Sequence, residues 1–328
     1  MAKRGVFQAS DKIGLAAWLL PELLAAAARR DIPEHALLQG SRIFAADLQF
    51  SQTRLSYQDW RHICHNASRF SSPELAWVSG QALYFQSHPF ACLLRAAPNK
   101  RMALRWLCRL RRLFFPFLFA KLKRVSDGWL LSVQPLPGQR LDAGHRFAIE
   151  MALAFCHQVL NDKSVTLTGR QELLPYSQGQ LIVSPDTYCV YCPDPVLTTH
   201  CAKGVTVDYL HQARICRQQA LLLPQSISAA EQVYNVLASA LPALPTLDQC
   251  AAQLAVSSSG LKRQLSDFGC NFSRLQDKVR EDAAVQLLGK EQSNRQLAKA
   301  LGFSDEHNFR RAFKRWTGML PSSFRLGS

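Results

Sequence analysis

The sequence predicts two domains: an α+β domain with an antiparallel sheet over residues 1–223, and an all-α domain over residues 224–328. The chain has 328 residues, more than the ~100–200 of a usual single domain. Strand-like runs occur before residue 224, whereas the apolar patterns beyond it have helical spacing. Leu223-Pro224-Gln225-Ser226 has the composition of a linker between the two domains.

In the first domain, apolar residues at helical spacing predict helices, and β-prone runs beside turn residues predict strands. The predicted helices are Leu15–Arg29, Ser56–Phe70, Asn99–Phe114, Arg146–Leu160 and Val207–Leu223. The predicted strands are Phe117–Arg124, Trp129–Gln134, Val165–Leu173 and Asp186–Cys192. Because Ser126-Asp127-Gly128 separates the first two strands, they are expected to form a hairpin.

The second domain contains an internal repeat typical of paired helix-turn-helix units. The matching pairs, 47 positions apart, are Ala251 and Ala298, Leu254 and Leu301, and Ser257 and Ser304. Each copy offers a first helix, a turn at a small residue (Ala255 or Gly302), and a Ser that can cap the second helix.

Two further segments frame the repeat. Thr246-Leu247-Asp248-Gln249 has the capping-box pattern that begins a helix. A helix predicted over Phe272–Leu288 separates the two units and is long enough to hold both on one side of a duplex. Two recognition helices about 34 Å apart can enter successive major grooves.

The second helix of each unit carries basic residues, and its apolar residues are expected in the core. The basic residues are Lys262, Arg263, Arg310, Arg311, Lys314 and Arg315, and the expected core residues are Phe303, Phe309, Phe313, Trp316 and Leu320. Arg pairs bidentately with guanine, and both Arg and Lys neutralise phosphates. A solvated basic face is the alternative for a single copy, but two copies at matched spacing favour DNA binding.

Residues Leu297–Arg325, LAKALGFSDEHNFRRAFKRWTGMLPSSFR, resemble the C-terminal signature of the AraC/XylS family of transcription regulators. The strong resemblance covers roughly residues 228–326. It implies a double helix-turn-helix domain that binds promoter DNA. The implied base-facing positions are Ser259, Lys262, Arg263, Glu306, His307, Arg310 and Arg311, and Lys314 completes the predicted DNA-binding set.

Two features of the first unit predict that it reads sequence less stringently than the second. Ser259 stands where the family often has a larger, basic side chain, and Gly260 weakens a helix by about 1 kcal/mol relative to Ala. In the second unit, Glu306 would face a polyanion. Its carboxylate is therefore expected either to accept from a cytosine amino group or to be turned away from the DNA.

The order of elements from Ala91 to Leu160 resembles the arabinose-binding type of sensor domain that accompanies some of these regulators. The resemblance implies that this domain binds a small effector, forms a homodimer, or both. By the same resemblance, the protein is expected to regulate transcription with RNA polymerase as a partner, more often as an activator than as a repressor. No cofactor is expected.

The formal net charge of +15 favours an acidic partner, and the excess lies mostly in the first domain. Between Glu74 and Asp127 there are ten Lys or Arg residues and no Asp or Glu. A solvated face, an anionic effector, and direct contact with DNA or a membrane through Phe114–Phe117 all remain open. The candidate effector-binding residues lie along one side of the predicted helix Asn99–Phe114: Arg101, Arg105, Arg109 and Arg112.

Ten cysteines are present without the pattern of a secreted disulfide framework, and no apolar run reaches the ~18 residues of a spanning helix. A cytoplasmic protein is therefore expected. Cys189 and Cys192, with the nearby His200 and Cys201, offer metal-ligand types, but odd spacing in a strand turns two thiols to opposite faces. Ordinary buried cysteines are the favoured interpretation.

Two other functional classes are alternatives to a regulator. A DNA-targeted thiol enzyme of the alkyl-transfer type would need an activated Cys beside a His and a carboxylate, and no local motif of that kind occurs. An architectural DNA-binding protein without an effector is the other alternative, and high basicity favours it. The sequence therefore predicts a non-enzymatic regulator with no catalytic residues and no metal site.

Overall fold

The computed structural model describes residues 8–50, 52–70, 73–176, 181–183, 186–199, 206–223, 227–288 and 292–326. The chain divides into two compact units. The α+β unit consists of the described residues within Ser10–Pro135 and Leu141–Gln225. The helical unit consists of those within Met1–Ala9, Leu136–Arg140 and Ser226–Ser328.

The α+β unit contains ten α-helices and seven strands among its described residues. Its helices are α1 (Ala16–Ala28), α2 (Glu34–Leu38), α3 (Tyr57–Arg69), α4 (Pro73–Phe85), α5 (Pro89–Arg95), α6 (Lys100–Arg109), α7 (Arg111–Phe114), α8 (Ala143–Leu160), α9 (Asp194–Thr198) and α10 (Val207–Leu221). Its strands are β1 (Gly14–Leu15), β2 (Arg54–Leu55), β3 (Leu118–Val125), β4 (Gly128–Pro135), β5 (Thr166–Gly169), β6 (Leu181–Val183) and β7 (Cys189–Pro193).

The main sheet has five strands in the order β3-β4-β7-β5-β6. Its pairings are antiparallel except that between β5 and β6, which is parallel. The predicted hairpin is confirmed: β3 and β4 pair from Leu118 with Pro135 to Val125 with Gly128. The predicted strand Val165–Leu173 is too long, because β5 ends at Gly169 and a 3-10 helix follows over Gln171–Tyr176.

Two predicted helices differ from those observed. The prediction over Asn99–Phe114 is interrupted at Leu110, whose φ of −108° and ψ of 15° lie outside the α-helical range and separate α6 from α7. Helix α8 begins before the predicted Arg146, because Asp142 caps it: the Oδ1 atom of Asp142 accepts from the backbone N–H of His145 at 2.8 Å.

Helix α8 forms the centre of the α+β unit, and most of its side chains are buried. Helix α4 packs on it so closely that a Cβ at Gly80 would collide with the carbonyl group of Met151. The Phe155 ring on α8 lies 4.5 Å from the Phe114 ring, centroid to centroid, and also contacts Phe90. Helices α5, α7 and α8 therefore meet in one aromatic cluster.

The helical unit contains α11 (Ala229–Ser239), α12 (Leu247–Gln253), α13 (Ser258–Asp267), α14 (Phe272–Leu288), α15 (Asn294–Ala300), α16 (Glu306–Thr317) and α17 (Pro321–Leu326). The predicted linker helix Phe272–Leu288 is confirmed with the same bounds. The predicted capping box at the start of α12 is also confirmed. Thr246 Oγ1 accepts from the N–H of Gln249 at 3.3 Å, and Gln249 Oε1 accepts from the N–H of Thr246 at 2.8 Å.

The segment Leu136–Arg140, between β4 and α8 in the sequence, belongs to the helical unit. Gln139 Nε2 donates to the carbonyl oxygen of Phe268 at 2.6 Å, and the Cys270 thiol donates to that of Pro137 at 3.3 Å. The helical unit is thus completed by five residues that are distant from it in the sequence.

Candidate nucleic-acid interface

The second helix-turn-helix unit consists of α15, a turn and α16. Ser293 caps α15 through a capping box, in which its Oγ accepts from the N–H of Gln296 at 3.3 Å. The turn passes through Gly302, whose φ is +73°. In the first unit the equivalent residue, Ala255, also has a positive φ, of 56°. The prediction of a small residue at each turn is therefore confirmed, because both turns require the left-handed conformation.

The two recognition helices are capped differently. Ser257 caps α13 as predicted, with its Oγ accepting from the N–H of Gly260 at 3.1 Å. The prediction that Ser304 caps α16 is wrong. The cap is Asp305, whose Oδ1 accepts from the N–H of Asn308 at 2.7 Å. The second turn is one residue longer than the first, which moves the capping position from Ser304 to Asp305.

The cap at Asp305 also affects charge at the start of α16. The hydrogen bond from the backbone N–H of Asn308 is the main cause that lowers the pKa of the Asp305 carboxyl below its ordinary value. A carboxylate at a helix N-terminus complements the helix dipole. This start of α16 is therefore fixed by a charged cap.

One face of α16 is packed into the core of its unit. Phe309 and Phe313 are fully buried, and Phe303 and Trp316 are half-buried against the same cluster, as predicted. The prediction for Leu320 is wrong, since its side chain is 36% exposed. Helix α16 ends at Thr317, and Gly318 after it has a φ of +75°, so Leu320 no longer follows the helical phase of the buried residues.

The opposite face of α16 carries a stripe of exposed side chains at helical spacing: His307, Arg310, Arg311 and Lys314. Glu306 lies beside this stripe but is half-buried, and its Oε1 accepts from the Asn294 side chain at 3.1 Å. Of the two expectations for Glu306, this contact favours a carboxylate turned back toward α15.

The first helix-turn-helix unit presents fewer exposed side chains on its recognition helix. Ser259, Lys262 and Arg263 are exposed on α13, while Leu261 and Leu265 are buried on its other side. A Cβ at Gly260 would lie only 2.9 Å from the capping oxygen of Ser257. The glycine that was expected to weaken this helix therefore also leaves room for its cap.

Polar contacts tie helix α14 to the second helix-turn-helix unit. The Arg315 guanidinium donates through Nη2 to both carboxylate oxygens of Asp277, at 2.9 and 3.0 Å. Arg280 donates through Nε to the carbonyl oxygen of Leu301 at 3.2 Å, and its guanidinium lies 5.1 Å from the Phe303 ring centroid. Arg315 is therefore tied to α14, unlike the exposed Arg310 and Arg311.

Two segments of the chain match known families. Residues 250–327 match a helix-turn-helix domain family, and residues 32–168 match the N-terminal arabinose-binding domain of AraC transcription regulators. The chain belongs to the AraC family. It is a transcription regulator with an N-terminal ligand-binding domain and a C-terminal DNA-binding domain, and it is not an enzyme.

The chain is also similar to individual known proteins. The chain is 26% identical over 324 residues to the ornithine utilization regulator of Pseudomonas aeruginosa, covering 92% of this chain and 94% of the relative. It is 34% identical over 82 residues, 25% of each chain, to the regulator VqsM of the same organism. The crystal structure of the regulator CdpR from P. aeruginosa is also similar, with 19% identity, a TM-score of 0.44, and coverage of 94% of this chain and 98% of that one.

In the N-terminal domain of this AraC-family chain, the four candidate effector-binding arginines have different surroundings. Arg101 and Arg105 are exposed and line a cavity of about 250 Å³. Arg109 is exposed outside that lining, with its guanidinium 6.0 Å from the Trp106 ring centroid. Arg112, on α7, is half-buried and also lies outside the lining. The cavity therefore involves two of the four.

The proposed membrane-facing edge at Phe114–Phe117 is wrong. Phe114, Phe115 and Phe117 are all buried, and the first two pack on Phe155. None of the helices in the described part of the chain combines the length and apolar character needed to cross a membrane.

Cys189 and Cys192 are both buried in strand β7. Burial raises the pKa of Cys189 to about 11 and that of Cys192 to about 12, so both thiols stay protonated at neutral pH. No metal-ligand cluster occurs among the described residues. His200 and Cys201, the other two members of the considered set, lie outside the described residues.

Proposed function

We propose that this AraC-family regulator reads a promoter site with two half-sites, placing α13 in one major groove and α16 in the next. The observation that carries this proposal is the exposed stripe on α16. His307, Arg310, Arg311 and Lys314 share one face, while Phe309 and Phe313 fix the other in the core. A helix so held presents its basic side chains in a fixed orientation, which base recognition in a groove requires.

We further propose a division of roles within the DNA-binding set. Arg310 and Arg311 contact base edges, because an exposed guanidinium can donate bidentately to guanine. Lys314, at the C-terminal end of the stripe, contacts phosphate. The short Ser259 leaves Lys262 and Arg263 as the long side chains of α13, so the first unit is the less stringent reader.

Regulation is proposed to depend on a small anionic effector in the N-terminal domain. The exposed arginines Arg101 and Arg105 at a cavity support an anion. The similarity to a protein named for ornithine utilization supports a metabolite as the kind of effector. We propose that the regulator acts in the cytoplasm as a homodimer and activates transcription by contact with RNA polymerase.

A genome-wide binding map followed by titration of the strongest site tests the DNA-binding proposal. Arg310→Ala is expected to cost about 1–3 kcal/mol in binding and to relax the preference at one base pair. Lys314→Ala is expected to weaken binding to all sequences alike and to reduce the slope of log K against log salt by about 1.

Lys163→Ala is the matched control, because Lys163 is an exposed lysine of the other unit. Its affinity and salt slope should equal those of the parent. Equal losses on specific and random DNA for Arg310→Ala would contradict base reading. Binding without sequence preference would instead support an architectural protein. Sedimentation and in vitro transcription with purified polymerase test the homodimer and the activator role.

A further inference from the structure

The cavity beside Arg101 is formed by four elements of the α+β unit. Helix α6, strands β3 and β4, and helix α9 contribute its lining, which consists of Arg101, Leu104, Arg105, Leu122, Arg124, Trp129, Asp194 and Leu197. Its volume of about 250 Å³ lies just below the usual range for ligand pockets, roughly 300–1,000 Å³. The space therefore suits a small molecule.

The lining changes from apolar to basic between the floor and the rim. Leu104 and Leu197 are 3% and 1% exposed, so they form a buried apolar floor. The Trp129 ring is half-buried beside them. Arg101 and Arg105 are exposed and belong to the rim. A ligand that matches this gradient has an apolar body directed inward and a negative charge at the mouth.

The charges at the rim are only partly compensated. Arg124 forms an ion pair with Asp194, and its guanidinium lies 5.7 Å from the Trp129 ring centroid. The hydrogen bond from Arg124, and then the charge of Arg101, lower the pKa of the Asp194 carboxyl. Asp194 is the one acidic side chain in the lining. The site therefore keeps a net positive charge after this pair is counted.

Arg101 and Arg105 supply that positive charge. Within the described ranges, neither guanidinium has a hydrogen-bond or ion-pair partner. The two residues are four positions apart on α6, so their side chains are neighbours on one helix face. Two adjacent guanidinium groups can donate together to a carboxylate, with charge-assisted hydrogen bonds.

We propose that this cavity is the effector site and that it binds a small carboxylate with an apolar body. The apolar body packs on Leu104, Leu197 and Trp129, and the carboxylate accepts from Arg101 and Arg105. This assignment rests on the proposed function, because it specifies the site and the chemical class of its effector. It also assigns different roles to the candidate arginines of α6, since Arg109 lies outside the cavity lining.

Binding of defined probes to the full chain tests the chemistry, by calorimetry and by saturation-transfer NMR at neutral pH. Hexanoate is the probe, and acetate, hexanamide and inorganic phosphate are its comparisons. Hexanoate should bind, and affinity should rise by about fourfold for each methylene from acetate onward. Hexanamide should bind at least tenfold more weakly, because its neutral amide has no negative charge to pair with the two guanidinium groups.

Variants locate the site. The double variant Arg101→Gln/Arg105→Gln should reduce hexanoate affinity by tenfold or more, whereas Arg109→Gln should leave it within about twofold. Arg214→Gln is the matched control, an exposed helical arginine outside the lining. Thermal unfolding of each variant shows that the fold is retained.

Four results would overturn the proposal: no binding of hexanoate, equal binding of hexanamide, equal binding of acetate or phosphate, or full affinity in the double variant. A footprint on promoter DNA separates this failure from failure of the proposed function. If the double variant and the parent protect the same promoter sites, DNA recognition stands whatever the outcome at the cavity.

Discussion

The two turns of the DNA-binding unit provide a matched test of backbone strain. Ala255 and Gly302 occupy equivalent positions, and both have a positive φ, of 56° and 73°. Ala255 is exposed, whereas a Cβ at Gly302 would collide with the carbonyl oxygen of Pro242. We therefore expect opposite effects from two reciprocal changes: Gly302→Ala should destabilise the unit, and Ala255→Gly should not.

The magnitudes follow from three contributions. A left-handed conformation costs a residue with a Cβ about 1–2 kcal/mol. Replacing Gly by Ala recovers about 0.4–1 kcal/mol from the unfolded chain. The new Cβ would collide with the carbonyl oxygen of Pro242, and because this is a backbone atom that cannot rotate away, the collision adds about 1–3 kcal/mol. Gly302→Ala should therefore cost about 1–5 kcal/mol, and Ala255→Gly should gain up to about 1.5 kcal/mol.

Hydrogen exchange followed by mass spectrometry measures these effects locally, which matters because unfolding of a two-unit chain need not be a single transition. Peptides from α15 and α16 should exchange faster in Gly302→Ala by the factor that the lost free energy implies. Peptides from α8, in the other unit, serve as the internal control. Unchanged protection in α16 for Gly302→Ala, or faster exchange in α13 for Ala255→Gly, would refute the reasoning.

Two further predictions concern other parts of the chain. His88 caps α5 with its Nδ1, and burial, followed by the charge of Arg95, lowers its pKa to about 3. Because the unfolded value is about 6.5, stability from this residue is complete above that pH and falls by about 1.4 kcal/mol per unit as pH drops toward 3. His88→Asn keeps a capping oxygen but cannot take up the proton. Urea unfolding at pH 7 and pH 5 measures how much the free energy of unfolding decreases between the two, and this decrease should be smaller by about 2 kcal/mol in the variant than in the parent. An equal decrease in the two proteins would contradict the assignment. Gly138→Ala should destabilise the helical unit by about 2–4 kcal/mol, since its φ is +79° and the new Cβ would lie 2.8 Å from the Leu275 side chain. Hydrogen exchange in peptides from α14 should be faster in this variant than in the parent. Equal exchange in the two proteins would contradict the predicted collision with Leu275.

The sequence predicted those features that are determined within a few residues. The capping box at Thr246, the helix Phe272–Leu288 and the hairpin around Gly128 all depend on neighbours in the chain, and all three were found. The exceptions were also local in origin. Ser304 was expected to cap α16 because it aligns with Ser257, but one extra residue in the turn gave that role to Asp305.

Contacts between distant residues could not be predicted in this way. Glu150 is 1% exposed within the apolar helix α8, and its carboxylate accepts from Arg170 Nε at 2.6 Å. Nothing near Glu150 in the sequence identifies that partner. The cavity depends equally on tertiary structure, because the ion pair between Arg124 and Asp194 spans 70 residues. Of the residues that line the cavity, only Arg101 and Arg105 were predicted as part of an effector site.

The basic run between Glu74 and Asp127 shows how the fold assigns different roles to similar residues. Several of these cations satisfy backbone carbonyl groups: Arg95 donates to Gln86 at 2.9 Å, Lys100 to Val159 at 2.7 Å, and Arg111 to Leu118 at 3.0 Å. Such contacts close helix ends and loops and are structural.

Arg101 and Arg105 differ from these residues because they lack such contacts within the described residues and lie at the rim of an apolar cavity. The charge excess of the α+β unit is therefore not a uniform surface that would attract any polyanion. A uniform surface would bind phosphate, acetate and hexanoate with affinities set by charge alone and falling steeply with salt. In a site with two cations above a buried leucine floor, the affinity also depends on burial of the apolar part of the ligand. Salt does not screen that contribution. The salt dependence of hexanoate binding thus separates a built site from a diffuse field.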